Sequence, residues 1–326
     1  MKFKLLLSLL FVFASINLFA QAQHSTEIGV ETDNDSYLLR GSDRYYTDGI
    51  YFYYRHALST DGNDNLKNKV LGFEFGQKIF NPQAGSVADI YGVDHADLVD
   101  RPFATYLYVG STLNLLYANE SNLKLSAQLG IVGPDAFGKQ VQDWVHKTFG
   151  FYHPSGWEYQ IKNDPEINLS AEYNRLLART TGVDISFSSY GNLGNGFTGA
   201  GLGFLLRLGN FNQLFNSVST QSTASQGNKI TPLHKHELFF YYKPLINYVA
   251  YDATIQGGLL ETHHEAGSQE ITLDKEPFIF SNQLGVDFTT NRFTFDVAAI
   301  VHTRDTKEMI RSTHQWGAIT GMYRFK

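Results

Sequence analysis

The sequence is dominated by a period of two. Lys124-Leu125-Ser126-Ala127-Gln128-Leu129-Gly130-Ile131 alternates strictly between polar or small and apolar residues, and the same pattern recurs over 183–188, 283–288 and 293–297. Such alternation is what an extended strand needs when its two faces meet different surroundings. Two all-β architectures satisfy it. A soluble sandwich hides the apolar face inside, whereas a membrane barrel turns that face to lipid and keeps Gly, Ser, Gln and Asp in the lumen. Three features favour the barrel. The runs are near ten residues long, enough for a tilted strand to cross a bilayer. Tyr and Phe cluster at run ends, as in 51–54 and 239–242, where an aromatic girdle would lie. The chain also ends on such a run, with Phe325 one residue from the end.

Strands are expected near 25–33, 48–58, 68–80, 103–118, 122–133, 165–178, 181–191, 197–209, 236–249, 277–290, 292–303 and 313–325. That gives a transmembrane antiparallel β-barrel of about twelve strands, an even number as bacterial barrels prefer. Tight turns at 119–121, 178–180 and 291 face the periplasm on this count. The long connections 34–47, 81–102, 134–164 and 250–276 face outside. The Ser/Thr/Gln/Asn-rich stretch 210–235 falls on the periplasmic side and reads as a flexible loop without chemistry of its own. One outer loop has a helical pattern. Val141, Val145 and Phe149 share a helical spacing between Pro134 and Gly150, so a short helix over 135–150 is expected to pack over the barrel mouth.

Compartment and partners follow from composition. Lys2 and Lys4, an apolar run over 5–19 and the small residues that follow it read as a signal peptide over 1–22, leaving 23–326 as one barrel domain. The expected location is a bacterial outer membrane. There is no cysteine, so an extracytoplasmic chain of this size needs another means of stabilisation, which a closed hydrogen-bonded barrel supplies. A net charge of −6 gives a nucleic-acid partner no support. A monomer is expected.

Three segments carry candidate chemistry, all in outward connections. In Glu31-Thr32-Asp33-Asn34-Asp35, followed by 42–49, carboxylates and an amide at a strand end offer hard oxygen ligands of the kind Ca²⁺ takes; Asp33, Asn34 and Asp35 are the candidate ligands. A polar turn is the alternative reading. Gln142 and His146 stand four residues apart on one helix face, and a neutral imidazole beside a cation can take a proton from water; a surface histidine bonded to backbone or solvent is the alternative. Asp100-Arg101-Pro102-Phe103-Ala104 places an Asp–Arg pair at the barrel rim, either to brace a loop or to meet an anionic head group. Neither a Gly-x-Ser-x-Gly elbow nor a His-Glu-x-x-His motif is present, so a serine nucleophile has no local support.

Taken together, 31–35, 43–49, 100–104 and the longest stretch, 130–146 with its Gly-Pro-Asp-Ala run leading to Val-Gln and then His, resemble the outer-membrane lipid A 3′-O-deacylase family. Trp157, Gln160 and Asn163 extend the similarity. The resemblance implies a twelve-stranded barrel that removes the 3′-linked acyloxyacyl chain of lipid A by Ca²⁺-assisted ester hydrolysis, without a covalent intermediate. It makes His146 the general base and Asp33 the carboxylate near the cation, and places Thr47 and Gln142 as polar residues lining the site. Thr32, Arg101 and Trp157 are the candidate substrate contacts, and the partner is lipopolysaccharide in the outer leaflet. Thr32 stands where some members carry asparagine, Tyr152 where some carry an acidic residue, and 81–99 contains no Lys or Arg. Two other readings stand beside this one. One is a non-enzymatic barrel, either a narrow pore or a surface-binding protein. The other is a phospholipase-A-type barrel with Ser–His chemistry.

Overall fold

The computed structural model describes residues 24–39, 43–83, 97, 99–152, 154–226, 230–259 and 268–326. The expected signal segment lies outside them. Twelve antiparallel strands close into a barrel, each paired with its neighbours in sequence, and β1 (Thr26–Asn34) closes against β12 (Thr313–Phe325). Between them run β2 (Tyr45–Ala57), β3 (Leu66–Asn81), β4 (Ala104–Tyr117), β5 (Ser121–Val132), β6 (Asp164–Arg179), β7 (Val183–Gly194), β8 (Phe197–Asn210), β9 (Glu237–Asp252), β10 (Phe278–Thr289) and β11 (Phe293–Thr303). Strand ends differ from those expected by no more than three residues. The agreement has a simple cause: closure removes every edge, so each strand must alternate along its whole paired length.

The alternation sorts the two faces. Ile28, Val30, Phe52, Tyr54, Phe73 and Phe75 are large, apolar and exposed on the outer wall. They lie opposite one another across β1–β2–β3, with ring contacts between Phe52 and Phe75 and between Tyr54 and Phe73. An apolar band of this kind needs lipid against it. Among the described residues no helix is long and apolar enough to cross a membrane; the strands do so. The inner wall is polar and paired. Glu31, Tyr53, Glu74, Lys78, Lys124 and Glu172 line a cavity of about 350 Å³.

The periplasmic side corrects the sequence reading. The segment 211–226 is not a flexible loop. It folds back into the barrel and buries Phe211, Leu214, Ser217, Thr220, Ser222 and Ala224. Asn68 donates to the carbonyls of Ser222 and Ala224, Asn114 to that of Thr220, and Thr223 to Glu27 Oε2 at 2.6 Å. Its small hydroxylated residues satisfy their own backbone turns, as with Ser222 on the Leu214 and Ser217 carbonyls, so polar sequence becomes compact structure. Below it Arg207 and Asp184, both fully buried, pair at 2.6 Å. The lumen is plugged at this end.

The outer helix exists but sits elsewhere than expected. Pro134–Ala136 forms one 3-10 turn and α1 spans Gly138–Phe149. Its buried face is Gly138, Gln142 and His146, while Phe149 and Trp144 are exposed. Gly138 lies so close to Thr105 that a β-carbon there would collide with the threonine hydroxyl. Gln77 donates to the Ala136 carbonyl at 2.6 Å. Thr105 and Gln77 alternate with Tyr106, Tyr108, Glu74 and Lys78, whose side chains reach the interior, so both face outward. The helix therefore packs on the outer wall of β3–β4 near the extracellular rim and not over the mouth. The absent side chain at Gly138 is what allows so close an approach.

Candidate active site

The polypeptide reaches the outer rim at the end of β1, where Asn34 caps a 3-10 turn, Asp35–Leu38, by accepting from the Ser36 amide at 2.7 Å. It returns through Asp43 into β2, where a bulge between Tyr46 and Asp48 gives Thr47 an unpaired place. The bulge decides which side chains share a face. Tyr46 keeps its phenol inside the barrel, and Asp48 emerges on the outer wall opposite Ile79. A bulge commonly re-aims a side chain in this way.

His146 meets Asp43 beneath α1. Its Nε2 is 2.9 Å from Asp43 Oδ2, and its Nδ1 is 2.6 Å from the carbonyl of Tyr152. A carbonyl only accepts, so Nδ1 carries a proton and Nε2 is the atom facing the carboxylate. Thr47 Oγ1 donates to Asp43 Oδ1 at 3.3 Å, and the Tyr152 phenol hydrogen-bonds the same carboxylate. Burial alone would push the Asp43 carboxyl up, but the bond and charge of His146, then Tyr152 and Thr47, outweigh it and hold Asp43 below its ordinary range. Burial would likewise lower His146. The bond to Asp43, the Tyr152 carbonyl and the charges of Asp43 and Asp48 together raise it. The Tyr152 hydroxyl is driven up by burial and by Asp43, Asp35 and Asp48.

Three carboxylates thus gather on the outer rim. Asp43 and Asp35 act electrostatically on Asp48, which accepts a hydrogen bond from Asn34 Nδ2. Carboxylates and an amide oxygen are a donor set for a hard cation. Asp33, by contrast, follows the alternation to the other face. It is buried inside the barrel, accepting from Tyr46 at 2.6 Å, and its Oδ1 has no hydrogen-bond partner among the described residues. No hydrogen bond or ion pair joins Asp33 to His146 among those residues. Sequence proximity put Asp33, Asn34 and Asp35 in one group; strand geometry separates the first from the other two.

The remaining candidates divide. Gln142 accepts from the Trp157 indole at 2.9 Å, and Trp157, 1 % exposed, packs on Phe103. Both hold the helix to the wall; Trp157 has no surface to offer a substrate. Thr32 faces outward, with its hydroxyl 3.2 Å from that of Tyr37. Arg101 is corrected from head-group contact to brace. It is 1 % exposed, stacks on Phe80 at 3.9 Å, and reaches Asp305 and Thr254. Burial lowers its pKa, opposed by Asp305, Asp252 and Asp100. Asp43, Asp48 and Tyr152 were not nominated as site residues. Asp43 stands in the 43–49 stretch, but only the fold shows that it faces His146. Beside the pair, Phe151 lies edge-on to His146 and stacks on Phe149, and both are exposed, as are Phe137 and Trp144 on the same segment, an aromatic collar of the kind that suits a membrane–water interface.

Comparison with known proteins finds the same barrel fold. The solved structure of LpxR from Salmonella typhimurium matches at a TM-score of 0.70 and 23 % identity, covering 92 % of this chain and all of that one. The β domain of the Bordetella autotransporter BrkA matches at 0.45 and 10 % identity over 94 % of this chain and 99 % of that one. The KdgM porin matches at 0.41 and 6 % identity over 92 % and 99 %. No curated protein sequence matches the chain. A family model described as "Outer membrane protein LpxR" matches residues 5–325. The chain belongs to the LpxR family of outer membrane proteins.

Proposed function

We propose that this protein is an outer-membrane carboxylic ester hydrolase acting on lipid A, removing its 3′-linked acyloxyacyl chain with His146 as general base. The observation that carries the reading is the Asp43–His146 pair, buried under α1 on the lipid-facing wall within an aromatic collar. A site there meets a membrane lipid from the side. An aqueous lumen would not offer that, and the lumen here is plugged.

The Tyr152 carbonyl fixes the ring with its proton on Nδ1, which leaves Nε2 as the atom that exchanges a proton. In the resting arrangement the Nε2 proton is held by ionised Asp43. Once that proton has passed to bulk water, the Nε2 lone pair can take a proton from the attacking water and later give that same proton to the leaving alkoxide. Asp43 is the positioning carboxylate, itself held by Thr47 and Tyr152. Asn34, Asp35, Asp43 and Asp48 fit a Ca²⁺ ion by donor type and by their excess negative charge, whereas Asp33 is held for a role inside the barrel. A bound Ca²⁺ would polarise the ester carbonyl and stabilise the oxyanion. Gln142 and Trp157 keep the helix, and hence the imidazole, in place.

The test is expression in an outer membrane followed by mass spectrometry of lipid A. The expected result is loss of one acyloxyacyl group, abolished by His146→Ala in a barrel that still shows heat-modifiable electrophoretic mobility. Unchanged lipid A in the presence of Ca²⁺, across several lipid A types, would overturn the reading. Full activity after Ca²⁺ chelation would point to phospholipase-like chemistry instead.

A further inference from the structure

We propose that His302, Asp305 and His314 form a metal site for a borderline transition-metal ion of the Zn²⁺ type, separate from the oxygen-rich rim beside His146. His302 and His314 are direct cross-strand partners on β11 and β12. Residues so paired point their side chains to the same face at close range, and the two rings lie 5.5 Å apart between centroids. Asp305 comes from the connecting loop three residues after His302, and its Oδ1 is 3.3 Å from His314 Nε2. One donor atom from each residue lies within 4.8 Å of the others; tetrahedral bonds of about 2.0–2.2 Å hold donors about 3.3–3.6 Å apart, so small side-chain rotations would draw the three onto one ion.

His314 also keeps an open ring nitrogen. His314 is 7 % exposed, and its Nδ1 is buried without a hydrogen-bond partner among the described residues. A buried imidazole ordinarily uses both nitrogens. The surroundings are also arranged as the outer shell of a metal site. Arg101 Nε takes Asp305 Oδ2 at 3.4 Å and leaves Oδ1 to the imidazole side, which orients the carboxylate as such partners do. Arg101 is itself fixed, since its Nη2 donates to Thr254, which in turn donates to Asp252.

Two imidazoles and one carboxylate select Zn²⁺ and its neighbours over Ca²⁺, which prefers an all-oxygen shell. The fourth position is open to water. An ion here would fasten the 304–312 loop to both strand ends. That loop already anchors the rim, since Thr306 donates to the Asp100 carbonyl, the Ile310 amide to Asp100 Oδ2, and the Arg311 amide to the Tyr45 hydroxyl. The site is structural in this reading, a staple between the β3–β4 and β11–β12 connections.

The test uses the full barrel in detergent, stripped with EDTA and titrated with Co²⁺ or Zn²⁺ alone. One equivalent of Co²⁺ is expected to give the intense visible bands of low-coordinate Co²⁺, and Zn²⁺ to bleach them. His302→Ala and His314→Ala should each weaken binding at least tenfold, with heat-modifiable mobility retained, and His146→Ala should leave it unchanged. If His314→Ala fails to fold, the decision passes to the thermal midpoint: Zn²⁺ raises it in the unaltered protein and not in His302→Asn. Absence of the bands and of the thermal shift overturns the proposal. So does binding that survives both substitutions or disappears with His146→Ala.

Discussion

At the scale of single residues, the Asp43–His146 pair makes the sharpest predictions. His146 titrates above its ordinary 6.5, so its contribution to stability is complete below pH 6.5 and is lost as pH climbs through the raised value. Asp43 titrates below its ordinary 3.8, so its contribution is present above pH 3.8 and is lost as pH falls through the lowered value. The pair is therefore intact between those values. Base catalysis needs the opposite state of the ring, so hydrolysis should rise with pH and reach half its maximum above pH 6.5. Asp43→Asn should move that midpoint down while also slowing the reaction. Initial rates on lipid A in mixed micelles across pH measure both, and a midpoint unmoved by Asp43→Asn would count against the pairing. His146→Gln should cost about 10²–10⁴-fold in rate and lower the thermal midpoint more below pH 6.5 than at high pH, in a barrel that still folds. Tyr152→Phe tests a finer point: it removes the phenol from Asp43 but keeps the carbonyl on His146, so only a partial loss is expected.

At the scale of elements, everything at the site depends on how closely α1 lies against the wall. Gly138→Ala would drive a methyl into the Thr105 hydroxyl and to 2.8 Å from its Cβ. The helix must lift, and activity should fall while the barrel stays folded. Thr105→Ala removes the hydroxyl and leaves the Cβ, so the double variant should recover part of the loss. Equal activity in Gly138→Ala and the unaltered protein would show that the helix tolerates the displacement. The placement of this helix was only half legible in the sequence. Its extent could be read from Pro134, Gly150 and the apolar spacing. Its buried face could not, because Gln142 and His146 are polar and are buried by specific partners, Trp157 and Asp43. Val141 and Phe149 suggested a stripe that the wall does not use in full.

At the scale of the whole molecule, the plug and its ion pairs bear on stability and on passage through the lumen. Arg207 and Asp184 are both fully buried, so Asp184→Ala leaves a guanidinium without its charge partner and should cost about 3–5 kcal/mol, readable as a lower denaturation midpoint in urea. The Glu27 carboxylate joins Arg55 at 2.9 Å and Arg324 at 3.0 Å, tying β1 to β2 and β12 at the seam of the barrel. Excising 213–226 should convert a barrel silent in planar bilayers into a conducting one. Conductance in the unaltered protein would mean that the plug leaves a path.

The sequence alone determined the strand count, the lipid-facing band and the grouping of the long connections at one end of the barrel. The reason is that dyad alternation is local, and a barrel wall imposes it on every strand alike. It also delivered the residues of the rim as a group. Tertiary structure decided what local pattern leaves open. A one-residue bulge at Thr47 put Asp48 outside while Tyr46 stayed in, and the pleat put Asp33 inside while Asn34 faced out. A glycine against Thr105 laid α1 on the wall instead of the mouth. Residues far apart in sequence, such as Arg101 and Asp305 or His302 and His314, acquired roles only when barrel closure and strand register brought them together. Polarity marked 211–226 as loop, yet hydrogen bonds to inward-facing Asn68, Asn114 and Glu27 made it a plug. Those partners come from strands distant in the chain, so no window of sequence contains them.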